Sequence, residues 1–164
     1  GGDIPRVADL FIGGWQLSGI YSAFSGAPFS INYECGNLVG NSTDTTRCRP
    51  NVVGDSSAVS GGRSTEKWFN TSAFVLPPAN TFGNSGRDIL RSPGYKNLDL
   101  GISKHFALSK DYVRRLQVRA EMFNTFNNVN LGFPNTRIDQ PSQFGKIRTA
   151  APARVVQFGL RLEF

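Results

Sequence analysis

The last ten residues, 155–164, alternate in character one by one. Val156, Phe158, Leu160, Leu162 and Phe164 fall on one side, and Val155, Gln157, Gly159, Arg161 and Glu163 on the other. A period of two puts successive side chains on opposite faces of an extended chain. This segment is therefore expected to be a strand with one oily face and one largely polar face carrying both signs of charge.

The pattern recurs. Leu116, Val118, Ala120, Met122 and Phe126 oppose Arg115, Gln117, Arg119 and Glu121. Leu98, Leu100, Ile102, Phe106 and Leu108 oppose Asn97, Asp99, Gly101, Ser103 and His105, with Lys104 the exception on the apolar side. Ser109-Lys110-Asp111 leaves room for only a short turn between these two segments, which predicts an antiparallel hairpin. Trp15, Leu17, Tyr21 and Phe29 share parity in a further segment, though Ile20 and Phe24 break it. The expectation is four strands, near 15–31, 95–108, 113–127 and 154–164. Abundant Gly (18) and Phe (13) with a single Met suit strands and loops better than helices.

Between the strands lie two long polar stretches, 32–93 and 128–153, rich in Asn, Gly, Ser, Thr and Pro. Structureless loops of that size are uncommon inside a compact soluble domain. One short turn against two long loops is the asymmetry of an outer-membrane barrel, short on the periplasmic side and long outside. No run of 18 or more apolar residues occurs, so no transmembrane helix is expected. Alternating strands never produce such a run. If the short turn is periplasmic, strand 97–108 runs inward, 113–126 outward and 155–164 inward, ending in the periplasm. Trp15, Phe106 and Phe164 then share one membrane edge, the level that suits aromatic rings. Lys104 lies near it, where its stem could snorkel to headgroups. Four strands cannot close a barrel, since the smallest have about eight. With Gly1-Gly2-Asp3 at its start, the chain is expected to be part of something longer, a partial barrel throughout residues 1–164.

The net charge of +6 comes from scattered basic residues, with Arg114 and Arg115 the densest group, so no nucleic-acid partner is expected. Cys35 and Cys48, with 12 residues between them, read either as a disulfide or as two unrelated thiols. A bridge there would contribute about 3 kcal/mol in the chain-entropy model and would indicate an oxidising compartment. A zinc site would lack ligands, because His105 is the only His. Asp99 and His105 share a face but lie about 20 Å apart along a strand, too far for a triad. Neither a G-x-S-x-G elbow nor a phosphate-cradling loop is present. No enzyme activity, cofactor or metal is expected.

Gln157, Gly159, Leu162 and Phe164 occupy the positions of the β-signal read by the barrel assembly machinery, which the terminal strand resembles. More of the chain resembles the C-terminal barrel region of TonB-dependent receptors, especially the Oar-like group. The similar stretches are GGWQLSGIYSAFSGAPFSI (13–31), RPNVVGD (49–55), WFNTSAFVLP (68–77), TFGNSGRDILRSPGYKNLDLGISKHF (81–106), LQVRAEMFNTFNNVNLGFPN (116–135) and FGKIRTAAPARVVQFGLRLEF (144–164). The resemblance implies an all-β antiparallel meander, the C-terminal strands of a large transmembrane barrel with long extracellular loops. It implies a parent of about 22 strands with a plug, in the outer membrane of a Gram-negative bacterium. Such a protein imports scarce large nutrients (a siderophore, cobalamin, oligosaccharide or peptide) with energy relayed by TonB. Partners would be outer-membrane lipid, the assembly machinery, the plug, the remaining strands and, through the plug, TonB.

Within that frame Asp99, Arg115, Arg119, Glu121 and Arg161 would line the lumen. Arg119 and Glu121 could meet substrate, or pair with neighbouring strands or the plug, since enclosed charges need partners. Trp68, Phe69 and Phe74 could stack on a ligand ring, or pack the loop against itself. Two other classes remain open: a structural or adhesive barrel that transports nothing, and a soluble β-sandwich binding module. In the sandwich, the apolar faces would meet in a core.

Overall fold

The computed structural model describes residues 12–35, 48–108 and 114–164. Its strands are β1 (Trp15–Phe24), β2 (Pro28–Phe29), β3 (Asn51–Val52), β4 (Phe74–Val75), β5 (Leu90–Arg91), β6 (Tyr95–Ala107), β7 (Arg115–Phe123) and β8 (Val155–Glu163). A one-turn 3-10 helix at Thr71–Ala73 precedes β4. The described residues are thus all-β, and they fall into two compact units. The first comprises the described residues through Ala23 with those of Lys96–Val129 and Pro152–Phe164; the second comprises those of Phe24–Tyr95 and Asn130–Ala151.

The first unit is built on a sheet with the strand order β1-β6-β7-β8. β6, β7 and β8 are antiparallel neighbours. β1 runs antiparallel to β6: the His105 amide donates to Gly14 O at 2.9 Å, and Ser18 Oγ donates to Gly101 O at 3.3 Å. The predicted turn at Ser109-Lys110-Asp111 lies outside the described residues, but on either side of it the Leu108 amide donates to Arg114 O at 2.8 Å.

Register turns the alternation of single strands into continuous faces. Ile102 pairs with Ala120 and Ala120 with Phe158; Lys104 pairs with Val118 and Val118 with Leu160; Phe106 pairs with Leu116 and Leu116 with Leu162. On the opposite face, Gly101–Glu121–Gln157, Ser103–Arg119–Gly159 and His105–Gln117–Arg161 form matching rows. A slip of one residue would mix the two sets, so the register is what makes the sheet amphipathic.

The bulky rows are not covered. Phe158 is 81% exposed and Leu160 76%, and Leu17, Tyr21, Ile102, Val118 and Leu162 are also exposed. Burial of one such side chain is worth roughly 1.5–3 kcal/mol, so an uncovered row of them is at odds with water. A sandwich would have buried these rows in its own core. The described residues form no closed barrel, and among them β1 and β8 have a neighbour on one side only.

Lys104, on the apolar face, is only 5% exposed. Its Nζ donates to Gly13 O and lies 4.9 Å from the Trp15 ring centroid and 5.6 Å from that of Phe106. Instead of snorkelling outward, the ammonium is caged by a carbonyl and two ring faces, the arrangement that makes such a cation tolerable.

β1 is shorter than the strand expected over 15–31. It ends at Phe24, and the Ser25-Gly26-Ala27 link follows. A Cβ at Gly26 would stand 1.7 Å from Ser92 O, so only glycine permits this close approach. Beyond the link, Phe29 and Ile31 join the core of the second unit. β7 likewise ends at Phe123 instead of near 127, because Asn124 and Asn127 adopt positive φ (52° and 53°).

The second unit holds the stretches expected to be long loops, and they are not structureless. β2 pairs with β5, β3 pairs with β4, and Phe29, Ile31, Phe69, Ala73, Phe74, Leu90 and Phe144 close a hydrophobic core.

Candidate functional site

Two places in the chain concentrate polar chemistry: the charged face of the sheet, and the ties around the second unit's core.

On the sheet, β7 presents Arg119 and Glu121 two residues apart, hence on one face. Arg119 Nε lies 3.4 Å from Glu121 Oε1, and Gln157 Nε2 of β8 donates to the other oxygen of Glu121. The Arg119 side chain lies across Gly159, where a Cβ would be 3.7 Å from Nε. Arg161 NH2 lies 3.2 Å from Glu163 Oε1, and Gln117 Nε2 lies 3.4 Å from His105 Nε2. Arg119 and Glu121 are therefore placed together, paired along their own strand and tied to β8.

Asp99 takes a different part. Its Oδ1 accepts from the Asn124 amide and from Asn97 Nδ2, both at 2.8 Å. Asn124 in turn donates through Nδ2 to Asn128 O (3.0 Å) and accepts from the Asn128 amide (2.9 Å). Asp99 thus holds the turn that ends β7. Asn side chains tolerate positive φ and bond their own backbone nearby, so NTFNN (124–128) carried a turn signal that strand periodicity obscured.

The four β-signal positions all fall on or beside the edge strand β8. Gln157 and Gly159 face the polar side, beside Glu121 and Arg119 respectively, while Leu162 and Phe164 are exposed.

In the second unit Phe69 is 1% exposed. Its ring meets Phe29, Phe74 and Phe144 at centroid distances of 5.9, 5.9 and 5.2 Å. Gly145 (φ 77°) allows the chain to turn against it, with the Trp68 amide donating to Gly145 O at 2.9 Å. Phe69 and the buried Phe74 consequently have no open ring face for a ligand, and here they are packing residues. Trp68 is half-buried; its Nε1 donates to Arg91 O at 2.8 Å, and the Arg63 guanidinium lies 5.4 Å from its ring centroid. Sequence inspection missed Phe29, Ile31, Leu90 and Phe144 as members of this core. The breaker Gly26-Ala27-Pro28 was the available sign that Phe29 and Ile31 had left the strand.

Cys35 and Cys48 form a disulfide. Next to it, Arg137 Nε donates to Asp139 Oδ1 at 2.8 Å, and Arg137 NH2 reaches Glu34 Oε2 at 3.0 Å. A second tie joins Arg148 NH1 to Glu66 Oε1 at 2.5 Å, with Lys146 Nζ 3.6 Å from the other oxygen. The hydrogen bond from Arg137 is the main cause that holds the Asp139 carboxyl well below its ordinary 3.8, at about 2. A depressed carboxylate pKa means that the tie is fully present above the ordinary value and is lost as pH falls through the depressed one. Carbon NMR titration of the Asp139 carboxyl should give a midpoint near 2, and Arg137→Gln should move it up toward 3.8. An unmoved midpoint in the variant would refute this assignment.

Among the described residues, no group of three or more His, Cys, Asp or Glu could hold a metal ion. No helix there is long and apolar enough to cross a membrane.

An antiparallel sheet with an uncovered apolar face, a charged opposite face and long connecting segments defines the class of transmembrane β-barrel walls. Comparison with known families gives the same answer: the model of the outer membrane beta barrel domain matches residues 1–157, and the chain belongs to that family. Its place is the outer membrane. No curated protein and no solved structure matches the chain.

Proposed function

We propose that the chain forms part of the wall of a TonB-dependent receptor of the Oar-like group, which imports a scarce large nutrient. The observation that carries the reading is the amphipathic register of β6, β7 and β8, with bulky rows uncovered on one face and the Arg119–Glu121–Gln157 strip on the other. Lipid suits the first face and an enclosed watery interior suits the second. The resemblance of six stretches to the C-terminal region of these receptors supports the finer subtype. On this reading the remaining strands and the plug complete the barrel, the plug contacts TonB, and the C-terminal strand ends in the periplasm. The long connecting segments lie outside, where they contribute to capture. The assembly machinery reads Gln157, Gly159, Leu162 and Phe164 on β8.

Uptake assays separate this from a structural or adhesive barrel. Cells lacking the full-length protein would be compared with TonB-depleted cells for uptake of a ferric siderophore, cobalamin, an oligosaccharide and an oligopeptide. The expected result is loss of one of these in both strains. Unchanged uptake of all four, with loss of surface adhesion or envelope integrity, would replace import with the structural role.

A further inference from the structure

The tie between the two long segments rests on a short piece of chain fixed at both ends. At one end Ile31 is 0% exposed. At the other, Cys35 is bonded to Cys48. Between them, the Asn32 amide donates to Thr136 O (3.1 Å), and Asn32 O accepts from the Ile138 amide (3.1 Å). The Tyr33 amide donates to Cys48 O (2.9 Å), and the Glu34 amide to Asp139 Oδ2 (3.3 Å). Arg137 adds its contact with Glu34. Five residues thus hold the disulfide arm on one side and residues 136–139 on the other.

We infer that the Cys35–Cys48 disulfide is a thiol-responsive latch, which when reduced lets residues 33–35 come away from Cys48 and Asp139 while the aromatic core, with Ile31 in it and Ile138 packed against it, stays closed. Cutting the bond leaves the other contacts of the five residues unequally supported. Ile31 is still anchored in the core, and Asn32 lies next to it. Glu34, by contrast, keeps only surface contacts: its side chain is well exposed, and exposed ion pairs hold weakly. The hydrogen bond from Tyr33 to Cys48 depends on keeping two chain segments side by side, which is what the disulfide enforces. Phe69, Phe74 and Phe144 pack on one another with Ile31 and Ile138 beside them, so the core keeps Asn32 and its bonds to Thr136 and Ile138 in place without the disulfide. Loss should therefore be graded outward from Ile31 and confined to one side of the unit.

The reductant is a thiol. Two thiol equivalents deliver two electrons and two protons, the Cys35–Cys48 bond breaks to give two thiols, and the reductant leaves as its own disulfide. The inference concerns the second unit alone and stands whether or not the import reading does.

Amide hydrogen exchange on the full chain in detergent, with and without excess dithiothreitol at one pH, tests it. Tyr33 and Glu34 should exchange at least tenfold faster on reduction, whereas Ile138, Trp68 and Ile147, bonded to Asn32 O, Gly145 O and Thr65 O, should keep their rates. Cys48→Ser should show the fast pattern at once and ignore the reductant. Uniform acceleration at all five amides would make the bond a general staple, and no acceleration would make it idle. Either result overturns the latch.

Discussion

Val118→Arg should lower the equilibrium constant for correct barrel insertion roughly 30- to 700-fold, the equivalent of about 2–4 kcal/mol for an arginine facing mid-membrane lipid. Val118 lies on the bulky face, between Lys104 of β6 and Leu160 of β8 in register. Neither neighbour can accept a hydrogen bond from a guanidinium, and Lys104 carries the same charge. Lys104 itself is tolerated because Gly13 O, Trp15 and Phe106 already enclose its ammonium. Arg119→Gln, one residue along and on the other face, should insert like the parent protein. There the change removes one contact from Glu121, which keeps the hydrogen bond from Gln157. Folding into lipid vesicles, scored by heat-modifiable mobility on gels, reads both variants. Equal defects in the two would mean that lipid does not distinguish the faces, and the barrel-wall reading would go with it.

Phe69→Ala should cost about 3–5 kcal/mol, the range for removing a fully buried aromatic ring. The loss falls at the centre of the second unit, where the Phe69 ring meets three other phenylalanines and lies against Gly145. A unit held by so small a core has little stability to spare. Limited proteolysis should therefore cut the variant within 49–95 and 130–151 while β6, β7 and β8 stay protected in detergent. Trp68→Ala, a half-buried neighbour, should be milder. If Phe69→Ala leaves the protease pattern unchanged, the ring is not the keystone of that core.

The two predictions divide what could be read from the chain. Strands β6 and β8 were legible almost to the residue, and β7 except at its ends, because alternation is a local property and the register agrees with it. The two-sided character of the sheet was legible for the same reason. Lys104 was visible as an anomaly, but its Gly13 partner is 91 residues away, so the cage was not. Phe29 has the parity of Trp15, Leu17 and Tyr21 and was read with them; the approach of Gly26 to Ser92 takes it elsewhere. Arg137 and Glu34 stand 103 residues apart, and nothing in either neighbourhood announces the other.

By itself, then, the sequence determined which residues share the bulky face and which share the polar face on β6, β7 and β8, since that follows from the pleat and from a repeat of two. Tertiary structure alone decided that two polar stretches share one aromatic core, that Phe69 and Phe74 pack inward, and that a disulfide adjoins an ion-paired clamp. Those outcomes depend on contacts between segments far apart in the chain, whose pairing is set by packing and not by any local pattern.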